Sequence, residues 1–430
     1  MNKKTLVIIL CIILIIILLK AFVFYDKYKL PKGAEINVLD KTFEVYDEDI
    51  TYKDLIDNTN VNILTDEGET IDTYTVGDKV FTIEYKYKGI RKYKYDLKYK
   101  VSDTTKPVFI KEPPATISYY INEVTNEDME KLKAKAVYAD NYDPEPTYSM
   151  TGTVDSSVVG EYTLVSLVED SSGNQLTKNT IVTIKERPVV VETEEKKPEE
   201  QEPKEEEEEK DDSVYFAQQV ETYKKGNAKV GIDVSKWQGE VDFEKVRAEG
   251  VEFVILRLGV MKDKDTPLAK DVTFDTNFKN AKAAGLKVGV YVYSEADTVE
   301  KALENAKFVE ENVKAEDLDF PVAFDWEYWA KFHEMKINLH RLQEMYTAFN
   351  EELESKGYET MLYSSQNYVK YNLWGDVSDY NLWIARYSDN APDLPDLQFM
   401  LWQNTDKGKV DGIDGSVDLD IYYESARKSK

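Results

Sequence analysis

The sequence has few of the residues that most enzymes use for nucleophilic or metal chemistry. It has one cysteine, Cys11, set in an apolar run, so no disulfide within the chain and no cysteine metal site can be built. Two histidines, His333 and His340, leave little room for a His-dependent triad or a multi-histidine zinc site. Basic residues are in deficit too: 55 Lys and Arg against 82 Asp and Glu, a formal net charge of -27. That excess disfavours nucleic acid or any other polyanion as a partner. These residues imply neither a metal nor an organic cofactor. Carboxylates are what the chain has in plenty, so any chemistry is expected to run on acids. Its 430 residues, 42% of them hydrophobic, suffice for about two or three domains of roughly 150 residues.

Every residue from Leu6 to Leu19 is apolar, and the stretch continues past Lys20 through Phe24 and Tyr25. As a helix, residues 5–25 would span about 31 Å, enough to cross a bilayer, with Lys20 able to snorkel to the headgroups. Lys3 and Lys4 precede the run, no small-residue cleavage site follows it, and Leu10 is too large for lipoprotein processing at Cys11. The expected arrangement is residues 1–4 in the cytoplasm, 5–25 as an uncleaved signal anchor, and the bulk of the chain outside the cell membrane, facing the wall.

Residues 34–186 read as β structure. Phe81, Ile83, Tyr85 and Tyr87 alternate with polar residues, as do Tyr93, Tyr95, Leu97, Tyr99 and Val101 beyond Gly89, a hairpin with one buried face. The pattern repeats: Asp72 and Gly77 recur as Asp155 and Gly160, each glycine opening a strand. Two modules, 34–105 and 106–186, are expected to be small all-β sandwiches. The second resembles bacterial Ig-like surface domains in Ala139-Asp140-Asn141-Tyr142-Asp143 and Glu169-Asp170-Ser171-Ser172-Gly173-Asn174. The resemblance implies spacers that offer a surface to cell-envelope proteins. The turn acids read as solvated carboxylates rather than Ca²⁺ ligands. Residues 187–212 hold thirteen acids, five bases and three prolines, an extended, self-repelling linker.

From 213 to 430 the pattern is α/β. Strands are expected at Val230–Val234, Glu252–Leu258, Lys287–Tyr293, Phe320–Glu327, Thr360–Ser364, Leu382–Ala385 and Phe399–Gln403. Helix-period stretches lie between them, among them 274–284, 299–313 and 338–356. Alternating βα units imply a parallel sheet, either a barrel or a doubly wound one. All six tryptophans fall here: Trp237, Trp326, Trp329, Trp374, Trp383 and Trp402. Apart from Trp383, read as core, the group is read as flat faces for sugar rings. The apolar run Phe320-Pro321-Val322-Ala323-Phe324 ends in Asp325-Trp326-Glu327. Residues i and i+2 face the same side of a strand, with Cα atoms about 6.8 Å apart. Two carboxylates at a buried strand end are costly unless they work or are paired, and proximity splits their pKa values. Such a pair suits glycosidic bond cleavage. The competing reading is a barrel interior ion-paired through Arg257 or Arg386. Asp233 and the Asp418/Asp420 cluster add two further acidic segments.

On these residues residues 230–423 resemble glycoside hydrolase family 25, the N-acetylmuramidase lysozymes. The matching stretches are Gly231-Ile232-Asp233-Val234-Ser235, Phe253-Val254-Ile255-Leu256-Arg257, Val288-Gly289-Val290-Tyr291, Asp325-Trp326-Glu327, Leu382-Trp383-Ile384-Ala385-Arg386-Tyr387, Leu401-Trp402-Gln403 and Val417-Asp418-Leu419. The resemblance implies an irregular (β/α) barrel with fewer helices than a regular eightfold one. It also implies hydrolysis of the β-1,4 bond from N-acetylmuramic acid to N-acetylglucosamine in peptidoglycan glycan strands. Glu327 would then be the general acid, Asp325 would assist through the substrate's 2-acetamido group, and Asp233 and Asp418 would position substrate. Tyr291, Tyr293, Trp237, Trp402 and Arg386 would contact sugar. Glu295 and Asn404 stand where family members often carry an aromatic. Two alternatives remain: a catalytically silent wall-binding scaffold, and a glycosidase for another N-acetylated glycan. The fragment 213–430 is expected to act on its own.

Overall fold

The computed structural model describes residues 27–188 and 213–428. The expected anchor, 5–25, and all but the first two residues of the linker lie outside the described residues. Among the described residues, no helix is long and apolar enough to cross a membrane. The chain divides into two compact units, 1–105 and 106–430.

In the first unit, Gly77–Lys86 and Lys92–Ser102 form a long antiparallel hairpin, flanked by Asn62–Ile63 and a parallel Thr42–Glu44. Ile83, Tyr85, Leu97, Tyr99 and Val101 form its buried face, as period-2 alternation requires. A two-stranded pair, Ile36–Val38 with Ile56–Thr59, accompanies the sheet.

Residues 106–188 repeat this plan. Gly160–Glu169 and Gln175–Lys185 make the hairpin, with Thr147–Thr151 on one side and a parallel Thr116–Tyr120 on the other. Val108–Lys111 pairs with Val137–Ala139. The module is not all-β: Asn126–Lys133 is a helix, opened by a capping box in which Thr125 and Asp128 satisfy each other's backbone N–H groups. Nor are its turn acids solvated. Asp140 is 1% exposed and accepts from the Tyr142 and Asp143 N–H groups at 2.9 and 2.7 Å. Asp170 is likewise buried and accepts from Ser172 and Asn174. Tight turns leave backbone donors without ladder partners, and a buried carboxylate supplies them.

The remainder of the second unit is built on a ten-stranded sheet, eight strands of which close into a ring, with the short Val214–Tyr215 and Ala269–Lys270 added to it. The ring strands are β1 (Ala228–Val234), β2 (Phe253–Val260), β3 (Lys287–Ser294), β4 (Val322–Trp326), β5 (Thr360–Ser365), β6 (Asn381–Ala385), β7 (Leu401–Lys409) and β8 (Val417–Tyr423). β1 to β7 run parallel in sequence order. β8 is antiparallel to both β7 and β1 and closes the ring. Sequence reading takes 417–420 only as an acidic cluster, because alternating acids hide the apolar positions of a strand. Helices α1 (Phe216–Tyr223), α2 (Phe243–Ala248), α3 (Phe274–Ala283), α4 (Val299–Asn312) and α5 (Leu339–Ser355) pack outside. No helix joins β6 to β7 or β7 to β8, so the outer layer is incomplete.

Two cores result. Val230, Ile232, Val254, Leu256, Val288, Val290, Phe324 and Leu362 point outward and meet Ala302, Ala306, Leu342 and Phe349 on the helices. Phe253, Ile255, Tyr291, Ala323, Met361, Trp383, Leu401 and Tyr422 fill the interior. Glycine is required where interior strands press together. A Cβ on Gly231 would stand 2.6 Å from the Phe253 ring. Gly231→Ala is therefore expected to lower unfolding free energy by about 1–3 kcal/mol through overpacking, measured by urea denaturation. An unchanged midpoint would show that the interior has room to yield.

Candidate active site

The inward-facing residues of β2, β3, β4 and β7 run from apolar at the start to polar at the end: Phe253, Ile255, Arg257 on β2; Gly289, Tyr291, Tyr293 on β3; Ala323, Asp325 on β4; Leu401, Gln403 on β7. β8 runs the other way and has the reverse order, Asp418, Asp420, Tyr422. One mouth of the barrel thus collects polar groups and the other is sealed by rings. Asp233 on β1 lies directly opposite Asp418 on β8, and Asp325 is flanked by Tyr293 and Tyr363.

The four expected acids therefore meet. Asp325 is 4% exposed, while Glu327, one residue past the strand, faces the open cleft. The two carboxyls are neighbours that act on each other, and Asp325 Oδ1 has no partner among the described residues. Burial and the neighbouring Glu327 charge push Asp325 well up, and crowding by protein raises Glu327 as well despite its solvent contact. Both shifts favour holding a proton on the pair. Neither arginine of the competing reading is bonded to them. Arg257 pairs with Asp271 through Nε at 2.7 Å and a second nitrogen at 2.6 Å. Arg386 donates to Gln366 and the Ala391 carbonyl.

Sequence reading misses the group that organises the other acids, Gln403. Its Nε2 donates to Asp233 at 2.8 Å and to Asp418 at 3.3 Å, while its Oε1 accepts from Tyr363 and Tyr387 at 2.8 and 3.2 Å. The tyrosines fix which end of the amide faces the acids. An amide nitrogen, not a cation position, thus lies between Asp233 and Asp418. Asp420 is also missed as a site residue. It is fully buried and accepts from Trp383 Nε1 at 2.8 Å. Burial first, then the charge of Asp420, pushes Asp233 well above the usual range. Asp418 rises to about 9, through burial and then Asp233. The signal for both residues was the period-2 pattern: Gln403 follows Leu401 on an inward face, and Asp420 follows Asp418.

The expected sugar contacts divide. Trp237, on a turn after β1, is 76% exposed with the Lys236 ammonium 4.7 Å from its ring centre. Tyr291 and Tyr293 line the interior beside the acids. A cleft of about 480 Å³ beside Glu327 is lined by Tyr363, Ser365, Gln366, Arg386 and Tyr387. Trp402 is a correction: it is 1% exposed, packs edge-on against Tyr223 and donates to the Arg386 carbonyl, so it has no free face. Trp326, Trp329 and Trp374 are also core, packed on one another, and Trp383 packs against Tyr291 and Tyr363. Apolar helices outside the barrel need large side chains at strand ends as much as a sugar would. Asn404 makes a reciprocal amide pair with Gln219 of α1, at 2.9 and 3.1 Å, and Glu295 is buried.

The Asp420 carboxyl is pushed up to about 8 from an ordinary 3.8, by burial and then by Asp418. The folded chain holds a proton there that the unfolded chain releases, so this contribution is full below 3.8 and is lost as pH rises through about 8. Asp420→Asn removes the titration. Thermal melts from about pH 5 to about pH 9 should show the Tm difference moving in the variant's favour as pH rises. A difference constant with pH would refute the shift.

These features can be set beside known proteins. Over 194 residues the chain is 32% identical to the "Autolytic lysozyme" of Clostridium acetobutylicum, covering 45% of this chain and spanning 56% of that relative's length. It is 28% identical over 193 residues to the "Uncharacterized protein YegX" of Escherichia coli K12, covering 45% of this chain and 68% of the relative. Among solved structures, the modular autolysin LytC of Streptococcus pneumoniae with a synthetic peptidoglycan ligand is 26% identical at a TM-score of 0.41, covering 46% of this chain and 47% of that one. Residues 232–413, the bulk of the barrel and all its cleft acids but Asp418 and Asp420, match the model of the family described as Glycosyl hydrolases family 25.

Proposed function

We propose that the protein is a peptidoglycan hydrolase that cuts the β-1,4 bond between N-acetylmuramic acid and N-acetylglucosamine, tethered to the cell membrane by residues 5–25 and acting on the wall outside. The observation that carries this reading is the neighbouring Asp325 and Glu327 carboxyls, held at a barrel mouth where Asp233 and Asp418 converge on Gln403. The family match and the lysozyme-named relative support the reaction class and the substrate.

Glu327, exposed to the cleft, gives its proton to the oxygen of the leaving sugar as the glycosidic bond breaks. The carbonyl oxygen of the substrate's own 2-acetamido group bonds to the anomeric carbon, and Asp325 accepts from or orients its N–H. Water, deprotonated by Glu327, then opens the ring so formed and restores the acid. Asp233 and Asp418 keep the mouth polar for sugar hydroxyls, and Trp237 offers an apolar face.

The full chain in detergent is expected to clear a peptidoglycan gel, and borohydride reduction of the products should label N-acetylmuramic acid at the new ends. Glu327→Gln should lower the rate by about 10²–10⁴-fold. Clearing at the wild-type rate by that variant would remove Glu327 from the role, and labelled N-acetylglucosamine ends would remove the muramidase reading.

A further inference from the structure

Glu327 lies between two anchors. On its N-terminal side β4 is locked in the sheet. On its C-terminal side the chain makes a 3-10 turn, Tyr328–Lys331, a short helix, Phe332–Met335, and then enters α5 at Leu339. Trp329, Phe332 and Met335 press inward against the barrel's outer core. The other side of this segment is covered by the second β module. Val137 and Ala139, 4% and 1% exposed, join the barrel's own outer core, and Val108 and Ile110 pack against it. Tyr138 stacks on His333, with ring centres 6.1 Å apart and planes at 15°. Lys336 pairs with Glu145 at 3.1 Å.

The polar contacts fall on the start of α5. A helix leaves its first N–H groups without partners. Here the Leu339 N–H donates 2.9 Å to the Asp140 carbonyl of the module. Asn338 does two things at once: its Oδ1 caps the Arg341 N–H at 2.8 Å, and its Nδ2 donates 2.7 Å to the Tyr142 carbonyl. Both acceptor carbonyls belong to the turn shaped by the buried Asp140 carboxylate.

We propose that the second β module is a brace for the active site rather than a spacer: docked on residues 328–339, it fixes the segment that follows Glu327 and so sets the position of that carboxyl. Asn338 is the positioning residue that joins them. The acid-rich segment 187–212 then connects two bodies that touch, and the fragment 213–430 lacks half of the support of its own loop. The kinetic part of this inference rests on the muramidase reading; the docking does not.

Asn338→Asp isolates the contact. Aspartate caps a helix as well as asparagine does, but it cannot donate to the Tyr142 carbonyl. In the full chain, hydrogen exchange at 328–338 is expected to quicken several-fold while strands β1 to β8 keep their protection. On peptidoglycan, kcat should fall several-fold with KM nearly unchanged, because the loss is in the geometry of proton transfer. Unchanged exchange would overturn the brace whether or not the protein cuts peptidoglycan. Faster exchange with unchanged kcat would overturn the positioning of Glu327. A wild-type chain without activity fails the muramidase reading alone, since the exchange arm still decides the docking.

Discussion

The antiparallel last strand is the constraint on which the site depends. Most of the seven parallel strands put their polar ends at one mouth because their inward faces read apolar to polar along the chain; β6, with Asn381, Trp383 and Ala385, is the exception. A parallel eighth strand with the sequence Val417 to Tyr423 would have carried Asp418 to the opposite end. Running backwards between β7 and β1, β8 instead sets Asp418 against Asp233 and Asp420 beside Trp383 and Gln403. Closure of the sheet and assembly of the acids are therefore one event.

Gathering Asp233, Asp325, Glu327, Asp418 and Asp420 in one mouth is unfavourable by desolvation and by mutual repulsion. The structure relieves the strain without placing a cation among them. Gln403 and Trp383 donate neutral hydrogen bonds, and protons held on the raised carboxyls lower the net charge. The strong cation nearby, Arg257, is bound to Asp271, whose carboxylate burial pushes up but whose bonds from Thr273, Lys236 and Arg257 bring down. A direct pairing of Arg257 with Asp325 would have held that carboxyl ionised. Keeping them apart leaves the Asp325–Glu327 pair with a proton to give.

Much of this was legible along the chain. Six of the seven expected strands lie within about two residues of the observed ones, because β-branched runs between glycine-ended helices leave few alternatives. The seventh, expected at Phe399–Gln403, begins two residues later at Leu401 and runs on to Lys409, into polar residues that no hydrophobic pattern marks. The acids stood out as strand-end carboxylates. Tryptophan was misread because a large ring at a strand end serves packing and sugar equally in sequence, and only exposure separates Trp237 from Trp402. The helix at 126–133 was missed because its signal is a cap, Thr125 with Asp128, on a weakly apolar segment.

The sequence by itself determined which residues alternate, which strand ends bear carboxyls and which chemistry the scarcity of Cys and His leaves open. These are properties of neighbours along the chain. Only the tertiary structure decided that β8 turns back, that an amide rather than a cation lies between Asp233 and Asp418, and that a β module closes on the segment behind Glu327. Each of these depends on contacts between residues far apart in sequence, whose free energy is set by burial and by partners that no local pattern encodes.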